Sequence, residues 1–263
     1  LSVDDLSQDF LISLWDEAYD RKGKRNKKLN GKILTNLFYE PSTRTSSSFY
    51  SAMKLSGGDV IPINNVTFSS VSKGESLEDT VKTISQMCDL IVLRHNIAGS
   101  AKIASQVSGV PIINAGDGNS EHPTQTILDG YTIYHYFNKK IDNLNITLVG
   151  DLKNGRTVKS LVKLLTRFKN NKFNFVSPEN LRFDGQLPPN SSEVSDINKV
   201  IEETDILYVT RVQKERGSKY NYELSIDQLD KIPKNSIVMH PFPRVTEIPS
   251  SFDKDPRAKY FDQ

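Results

Sequence analysis

Short apolar runs alternate along this chain with segments whose apolar residues recur at helical spacing. Ile33-Leu34-Thr35-Asn36-Leu37-Phe38 and Asp89-Leu90-Ile91-Val92-Leu93 are too short for helices and read as buried strands. Leu6, Phe10, Leu14 and Ala18, with Trp15 beside them, predict a helix over 5–21. The same reading gives strands over 33–38 and 59–63 with a helix over 43–56 between them, whose buried side draws on Phe49, Ala52, Met53 and Leu55. A loop over 64–75 follows, then a helix over 76–87, a strand over 89–93, a helix over 99–108, a strand over 110–113 and a long helix over 123–137. A second cycle opens at Ile146-Thr147-Leu148-Val149 and continues with a helix over 156–168 and a strand over 173–177. An exposed Pro-, Asn- and Ser-rich loop over 185–195 comes next, then a helix over 196–203, a strand over 206–210, a short helix over 225–231 and a strand over 236–239.

Strands that alternate with helices imply parallel sheets covered on both faces. The expected fold is α/β, with two doubly wound domains, each a mostly parallel sheet of about four strands flanked by helices. At 263 residues two cores are reasonable, and the polar stretch Asn138-Lys139-Lys140-Ile141-Asp142-Asn143 suggests domains over 1–138 and 139–263. Open parallel sheets bind ligands beyond the carboxyl ends of their strands. Residues able to do chemistry recur there: Ser42-Thr43-Arg44-Thr45, Arg94-His95, Gly150-Asp151, Arg211 and His240-Pro241. A site in the cleft between two domains would collect them all.

Composition narrows the choice of ligand. Lys and Arg number 34 against 32 Asp and Glu, a net +2, which argues against a global field for nucleic acid or an acidic membrane. Anion binding must then come from local arrangement. The basic run Arg21-Lys22-Gly23-Lys24-Arg25-Asn26-Lys27-Lys28 reads as a solvated helix end. Cys88 is the only cysteine, which excludes an internal disulfide and points to a reducing, cytoplasmic setting; after Ile84 and Met87 on a helix it reads as a packing residue. No apolar run approaches the ~20 residues needed to span a bilayer, and no signal-peptide pattern stands at Leu1. A start at Leu1 rather than methionine reads as a fragment or a processed end.

Ser42-Thr43-Arg44-Thr45 lies between an apolar run and a helix. A helix N-terminus carries unpaired N–H groups and the positive end of the dipole, and hydroxyls with an arginine fork complete a seat for a phosphate dianion. An N-cap cluster on a surface helix is the alternative. Arg94 and Arg211 each end an apolar strand, so each either closes an internal salt bridge or serves an anionic ligand. His122-Pro123-Thr124-Gln125 opens the long helix, with proline at its first position. A neutral His122 there either packs or donates one hydrogen bond to a polarised carbonyl oxygen. Gly150-Asp151-Leu152-Lys153-Asn154-Gly155-Arg156-Thr157 is close to a phosphate-binding loop of nucleotide hydrolases, but Arg156 stands where that loop needs lysine and no strand ends in the matching aspartate. Arg156 at a helix start is better suited to clamping a carboxylate, because a cation is disfavoured there without an anion. The four histidines show no metal-ligand spacing, so no metal site and no cofactor are expected.

Taken in order, Ser42-Thr43-Arg44-Thr45, Val92-Leu93-Arg94-His95, His122-Pro123-Thr124-Gln125, Gly155-Arg156-Thr157, Thr210-Arg211-Val212-Gln213-Lys214-Glu215-Arg216 and His240-Pro241-Phe242-Pro243-Arg244 resemble the aspartate carbamoyltransferases over nearly the whole chain. The related ornithine carbamoyltransferases carry a His-Cys-Leu-Pro segment and a Ser-Met-Gly loop. The corresponding segments here are His240-Pro241-Phe242-Pro243 and Thr210-Arg211-Val212-Gln213, and Arg211 and Gln213 suit a side-chain carboxylate rather than an ammonium.

The resemblance implies transfer of a carbamoyl group from carbamoyl phosphate to the α-amine of L-aspartate, early in pyrimidine synthesis. It implies that Ser42, Thr43, Arg44 and Thr45 hold the phosphate with help from Arg94, and that Thr45, Arg94 and His122 polarise the carbamoyl oxygen. Gln125 and the backbone carbonyls of Pro241 and Phe242 would orient the carbamoyl amide. Arg156, Arg211 and Gln213, with Lys73, would bind aspartate. Ser69 and Lys73 match loop residues that reach a neighbouring subunit's site, so a homotrimer with shared sites is implied, and a larger pyrimidine-synthesis assembly stays open. The family also carries a long C-terminal helix and a longer loop after Arg216 than this sequence contains. Other carboxylate-bearing acceptors, a non-catalytic assembly module and a nucleotide-binding protein remain as alternatives.

Overall fold

The computed structural model describes residues 2–64, 74–118, 121–211 and 222–263. The chain forms two compact units, Leu1–Thr124 and Gln125–Gln263, which part at the start of the long helix, ahead of the polar stretch that follows it. In the first unit α1 (Gln8–Arg21), β1 (Ile33–Phe38), α2 (Thr43–Leu55), β2 (Asp59–Ile63), α3 (Leu77–Ile84), β3 (Leu90–His95), α4 (Ser100–Val107) and β4 (Ile112–Asp117) follow one another. The four strands form one parallel sheet in the order β2-β1-β3-β4. Period-two alternation serves both faces: Leu34, Phe38, Val92 and Ala115 pack with Met53 of α2, while Leu37, Ile91 and Leu93 pack with Val81 of α3 and Ala104 of α4. Cys88 is half-buried against this second cluster, its thiol directed at the Ile84 carbonyl, as a packing residue would be.

The second unit contains α5 (Pro123–Tyr136), β5 (Asn145–Val149), α6 (Arg156–Leu165), β6 (Lys172–Val176), β7 (Ser191–Val194), β8 (Ile206–Val209), α7 (Ile226–Leu229) and β9 (Ile237–Met239). Its sheet is parallel with five strands, in the order β7-β6-β5-β8-β9. Val149, Val176, Leu207, Val209 and Val238 share one core with Leu229, Ile232 and Phe252.

Four expectations need correction. The segment 185–195 contains β7, which pairs with β6 from Phe173↔Ser191 to Val176↔Val194. Ser191-Ser192-Glu193 lacks apolar alternation because an edge strand meets the core on one side at most. The segment 196–203 is two 3₁₀ turns, Ile197–Lys199 and Ile201–Glu203, that bury Ile197 and Ile201. Val200 between them, at φ −132°, interrupts an α-helix. Two helix faces also differ. In α1 Leu11 and Trp15 are buried while Phe10 is exposed, and in α2 Met53 alone of the apolar residues is fully buried while Ala52 and Leu55 are exposed. Helical spacing offered adjacent stripes, and contact with the sheet selected one.

Candidate active site

In the first unit, strand order reverses between β1 and β3, and the loops leaving those strands at their carboxyl ends run in opposite directions. Ser42-Thr43-Arg44-Thr45 follows β1 there. Ser42 is the N-cap of α2 without a side-chain capping bond, and Thr43 and Arg44 are exposed on the first turn. The turn is fixed from beneath: buried Ser46 donates to Asn64 at 2.7 Å, and Asn36 of β1 donates to the Ser46 carbonyl at 3.0 Å. The peptide groups at this helix start are therefore set before any ligand arrives.

Arg94 lies inside β3, opposite Phe38 of β1, rather than after the strand. Its Nε stands 3.2 Å from Glu40, and its carbonyl accepts from the Tyr39 N–H at 2.8 Å. Arg94 is thus tied to the segment that leads into Ser42, and the internal salt bridge and the position beside the phosphate motif hold together. His122, buried, comes after β4 and next to Glu121, which bridges to Asp117, and it directly precedes α5. Its Nδ1 lies 3.4 Å from the Thr124 hydroxyl. Thr45, Arg94 and His122 accordingly belong to the carboxyl edge of three neighbouring strands. His95 is a structural neighbour: its Nδ1 accepts from the Ile97 N–H at 3.0 Å, and burial holds its pKa below the usual value.

The second unit repeats the plan, with the reversal between β5 and β8. Gly150 (φ +112°) ends β5 so close to β8 that a Cβ would lie 2.3 Å from the Thr210 carbonyl oxygen, so only glycine fits. Thr210 donates through both its N–H and its hydroxyl to the Val149 carbonyl, at 2.8 and 2.9 Å, which fixes the backbone entering Arg211. Arg156 is the first residue of α6, N-capped by Gly155. Between them Asp151 accepts from the Asn154 N–H at 3.0 Å, and the N–H groups of Leu152 and Lys153 both donate to the Leu181 carbonyl. Those amides are spent on the protein, so the 150–157 turn is not an open phosphate nest.

After β9, His240 accepts from the Phe242 N–H at 2.9 Å and Phe242 takes a left-handed conformation, φ +50°. Such a conformation in a bulky residue is held in place by its surroundings. Burial keeps His240 below its ordinary pKa despite Glu247, whose carboxylate lies 3.7 Å from Nε2, so the pair is a neutral imidazole beside a carboxylate. Arg244 is bidentate to Asp253, whose carboxylate also accepts from Tyr260, so this arginine anchors the loop. Ser69, Lys73 and Gln213 lie outside the described residues. Among the described residues no group of three His, Cys, Asp or Glu side chains could hold a metal ion.

Sequence reasoning missed Asp129. It is fully buried on α5 and accepts from Gln125 Nε2 at 2.8 Å, from the Tyr208 hydroxyl at 2.8 Å and from Gln263 Nε2 at 2.5 Å. A lone acid in the apolar run Ile127-Leu128-Asp129-Gly130-Tyr131, four residues after Gln125, was the available signal. Burial pushes its pKa from 3.8 up to about 6, against the pull of those three donors. The folded state therefore binds the proton more tightly than the unfolded chain. The stability this group contributes is full below about pH 4 and is lost as pH rises through about 6. Two pH units correspond to about 3 kcal/mol. Urea unfolding of wild type and Asp129→Asn should show the wild type losing about 3 kcal/mol relative to the variant between about pH 4 and about pH 7. A pH-independent difference would mean that Asp129 does not titrate in this window.

Two parallel sheets, each with arginine at its switch point, define an α/β protein built to take two anionic molecules. Residues 1–135 match the carbamoyl-P binding domain of the aspartate/ornithine carbamoyltransferases, and residues 142–263 match their Asp/Orn binding domain. The chain belongs to this aspartate/ornithine carbamoyltransferase family. It is 46% identical to the aspartate carbamoyltransferase catalytic subunit of Methanococcus vannielii, over 100% of this chain and 92% of that one. The solved catalytic subunit of M. jannaschii aspartate transcarbamoylase is 43% identical, with a TM-score of 0.91 over 100% of this chain and 91% of that one. The Trypanosoma cruzi aspartate transcarbamoylase in complex with carbamoyl aspartate and phosphate is 38% identical, with a TM-score of 0.89 over 100% and 89%.

Proposed function

We propose that this chain transfers the carbamoyl group of carbamoyl phosphate to the α-amine of L-aspartate, giving N-carbamoyl-L-aspartate and phosphate early in pyrimidine synthesis. One observation carries the reading. The hydroxyl-and-arginine helix start after β1 and the pair Arg156 and Arg211 after β5 and β8 occupy the switch points of their two sheets, one suited to a phosphate and the other to carboxylates. The family and the relatives named above support the same reaction.

In the reaction the aspartate ammonium first gives one proton to water; the amine lone pair so exposed attacks the carbonyl carbon, a C–N bond forms, and the C–O bond to phosphate breaks. The nitrogen then sheds a second proton, which leaves on the phosphate. No covalent enzyme nucleophile is needed. Ser42, Thr43, Arg44 and Thr45 bind the phosphate, and Thr45, Arg94 and His122 stabilise the developing oxyanion. Gln125 and the carbonyls of Pro241 and Phe242 receive the carbamoyl NH₂. Arg156 and Arg211, with Gln213 and Lys73, bind the aspartate carboxylates. The rate gain comes from fixing two anions in line and from stabilising charge as it moves. The working unit is a cytoplasmic homotrimer, with Ser69 and Lys73 contributed to the site of a neighbouring subunit.

The test offers the purified chain carbamoyl phosphate with L-aspartate or L-ornithine and scores ureido product. Turnover with aspartate alone is expected. Turnover with ornithine would assign Arg211 a different role, and none with either would favour a non-catalytic assembly module.

A further inference from the structure

We propose that Asp129 is a positioning residue that dictates which end of the Gln125 amide is offered to the carbamoyl group. The inference rests on the role given to Gln125 above. A carbamoyl group has two ends of nearly equal size, an oxygen that accepts hydrogen bonds and an NH₂ that donates them. A glutamine amide has the same ambiguity, so a freely rotating Gln125 would receive the group equally well either way round. Asp129 removes that freedom. Its carboxylate, fully buried, accepts only, and it takes Gln125 Nε2 at 2.8 Å. Turning the amide over would set Oε1 against a buried carboxylate. Gln125 Oε1 is thereby committed as an acceptor, able to receive the carbamoyl NH₂ and to reject the carbamoyl oxygen.

The carboxylate is itself fixed. Tyr208 on β8 donates to its Oδ2 at 2.8 Å, and Gln263 donates to its Oδ1. Gln263 also turns its own Oε1 to the His240 N–H at 3.0 Å. One buried acceptor thus joins Gln125 to the backbone that carries Pro241 and Phe242, whose carbonyls are the other acceptors for the same NH₂. The arrangement keeps these acceptors in register through side chains that need not touch substrate.

An exchange of donor and acceptor tests this. Asp129→Asn offers both a donor and an acceptor and no longer dictates the orientation. It should raise KM for carbamoyl phosphate about tenfold, leaving KM for aspartate and inhibition by inorganic phosphate, which has no amide, within about twofold. Gln125→Glu places two carboxylates together and should lose about a hundredfold in kcat/KM for carbamoyl phosphate. In the double variant the introduced asparagine amide can donate to the introduced glutamate carboxylate. That pairing should recover about tenfold of the loss, which a purely structural role for Asp129 cannot do. Circular dichroism checks that each variant is folded. If Asp129→Asn proves unfolded, or if the two losses multiply in the combined variant, the inference is overturned. An equal loss of inorganic phosphate binding would overturn it too. A wild-type chain unable to carbamoylate aspartate would overturn the functional reading and this inference together, whereas a competent wild type without the rescue overturns the inference alone.

Discussion

Arg44→Ala should lower kcat by about three orders of magnitude while leaving the fold intact. Arg44 is exposed on the first turn of α2, whose positive dipole end makes an arginine there unfavourable unless an anion is bound. Under the proposed function carbamoyl phosphate supplies that anion. As the C–O bond breaks, negative charge accumulates on the phosphate oxygens, so a guanidinium fork placed there gains more in the transition state than in the ground state. Removing one preorganised donor of this kind costs a factor of about 10² to 10³, and the lost charge adds to it. Substrate binding should fall less, because the N–H groups at the helix start, fixed through Ser46, Asn36 and Asn64, remain. Arg44→Lys should recover only a small part, since a point charge cannot reproduce the fork. Thermal unfolding should move little, as exposed substitutions lie within about 0.5 kcal/mol of neutral. Steady-state kinetics with both substrates decide the matter. A loss confined to KM for carbamoyl phosphate would reduce Arg44 to a ground-state binder.

How far such a site can be read from sequence depends on what makes each residue legible. The strand β1 runs over the residues that the apolar run indicates, because it lies inside a parallel sheet with both faces buried and the run is nearly continuous. Strand-end arginines are legible for the converse reason, since a charge directly after an apolar run has few explanations. β7 was hidden by its place at the sheet edge, where Ser191, Ser192 and Glu193 meet solvent. β4 was cut short because Asn114 and Asp117 look like loop residues yet are buried, Asn114 accepting from the Gly116 N–H and Asp117 from the N–H groups of Gly99 and Ser100. Partners were the least legible of all. That Arg94 meets Glu40, that Arg244 meets Asp253, and that Asp129 gathers Gln125, Tyr208 and Gln263 are facts of tertiary packing. Only the Gln125–Asp129 pair follows a helical spacing, and no such rule joins the other positions. The motif residues point to anion binding, and the partners that hold their neighbours in place emerge only from the fold.

Arg211→Ala should raise KM for L-aspartate by about two to three orders of magnitude and leave KM for carbamoyl phosphate within about threefold. Arg211 follows β8 directly, and the backbone before it is clamped to β5 by the Thr210 bonds to Val149 and by the close approach of Gly150. A guanidinium so placed spends little of its binding energy on being ordered. Losing a bidentate contact to a carboxylate that has given up its water costs about 2 to 5 kcal/mol, much of it the cost of leaving that carboxylate unmatched. Arg156 at the start of α6 should behave similarly, because the helix dipole and the guanidinium draw on the same carboxylate charge. The two arginines are separable with a shortened acceptor. If Arg211 takes the side-chain carboxylate, its removal should abolish the preference for L-aspartate over L-alanine, whereas removal of Arg156 should weaken both amines alike. Equal loss of preference in both variants would mean that the two arginines hold the acceptor jointly. A rise in KM for carbamoyl phosphate as large as that for aspartate would place Arg211 in the support of the loops and not at the acceptor.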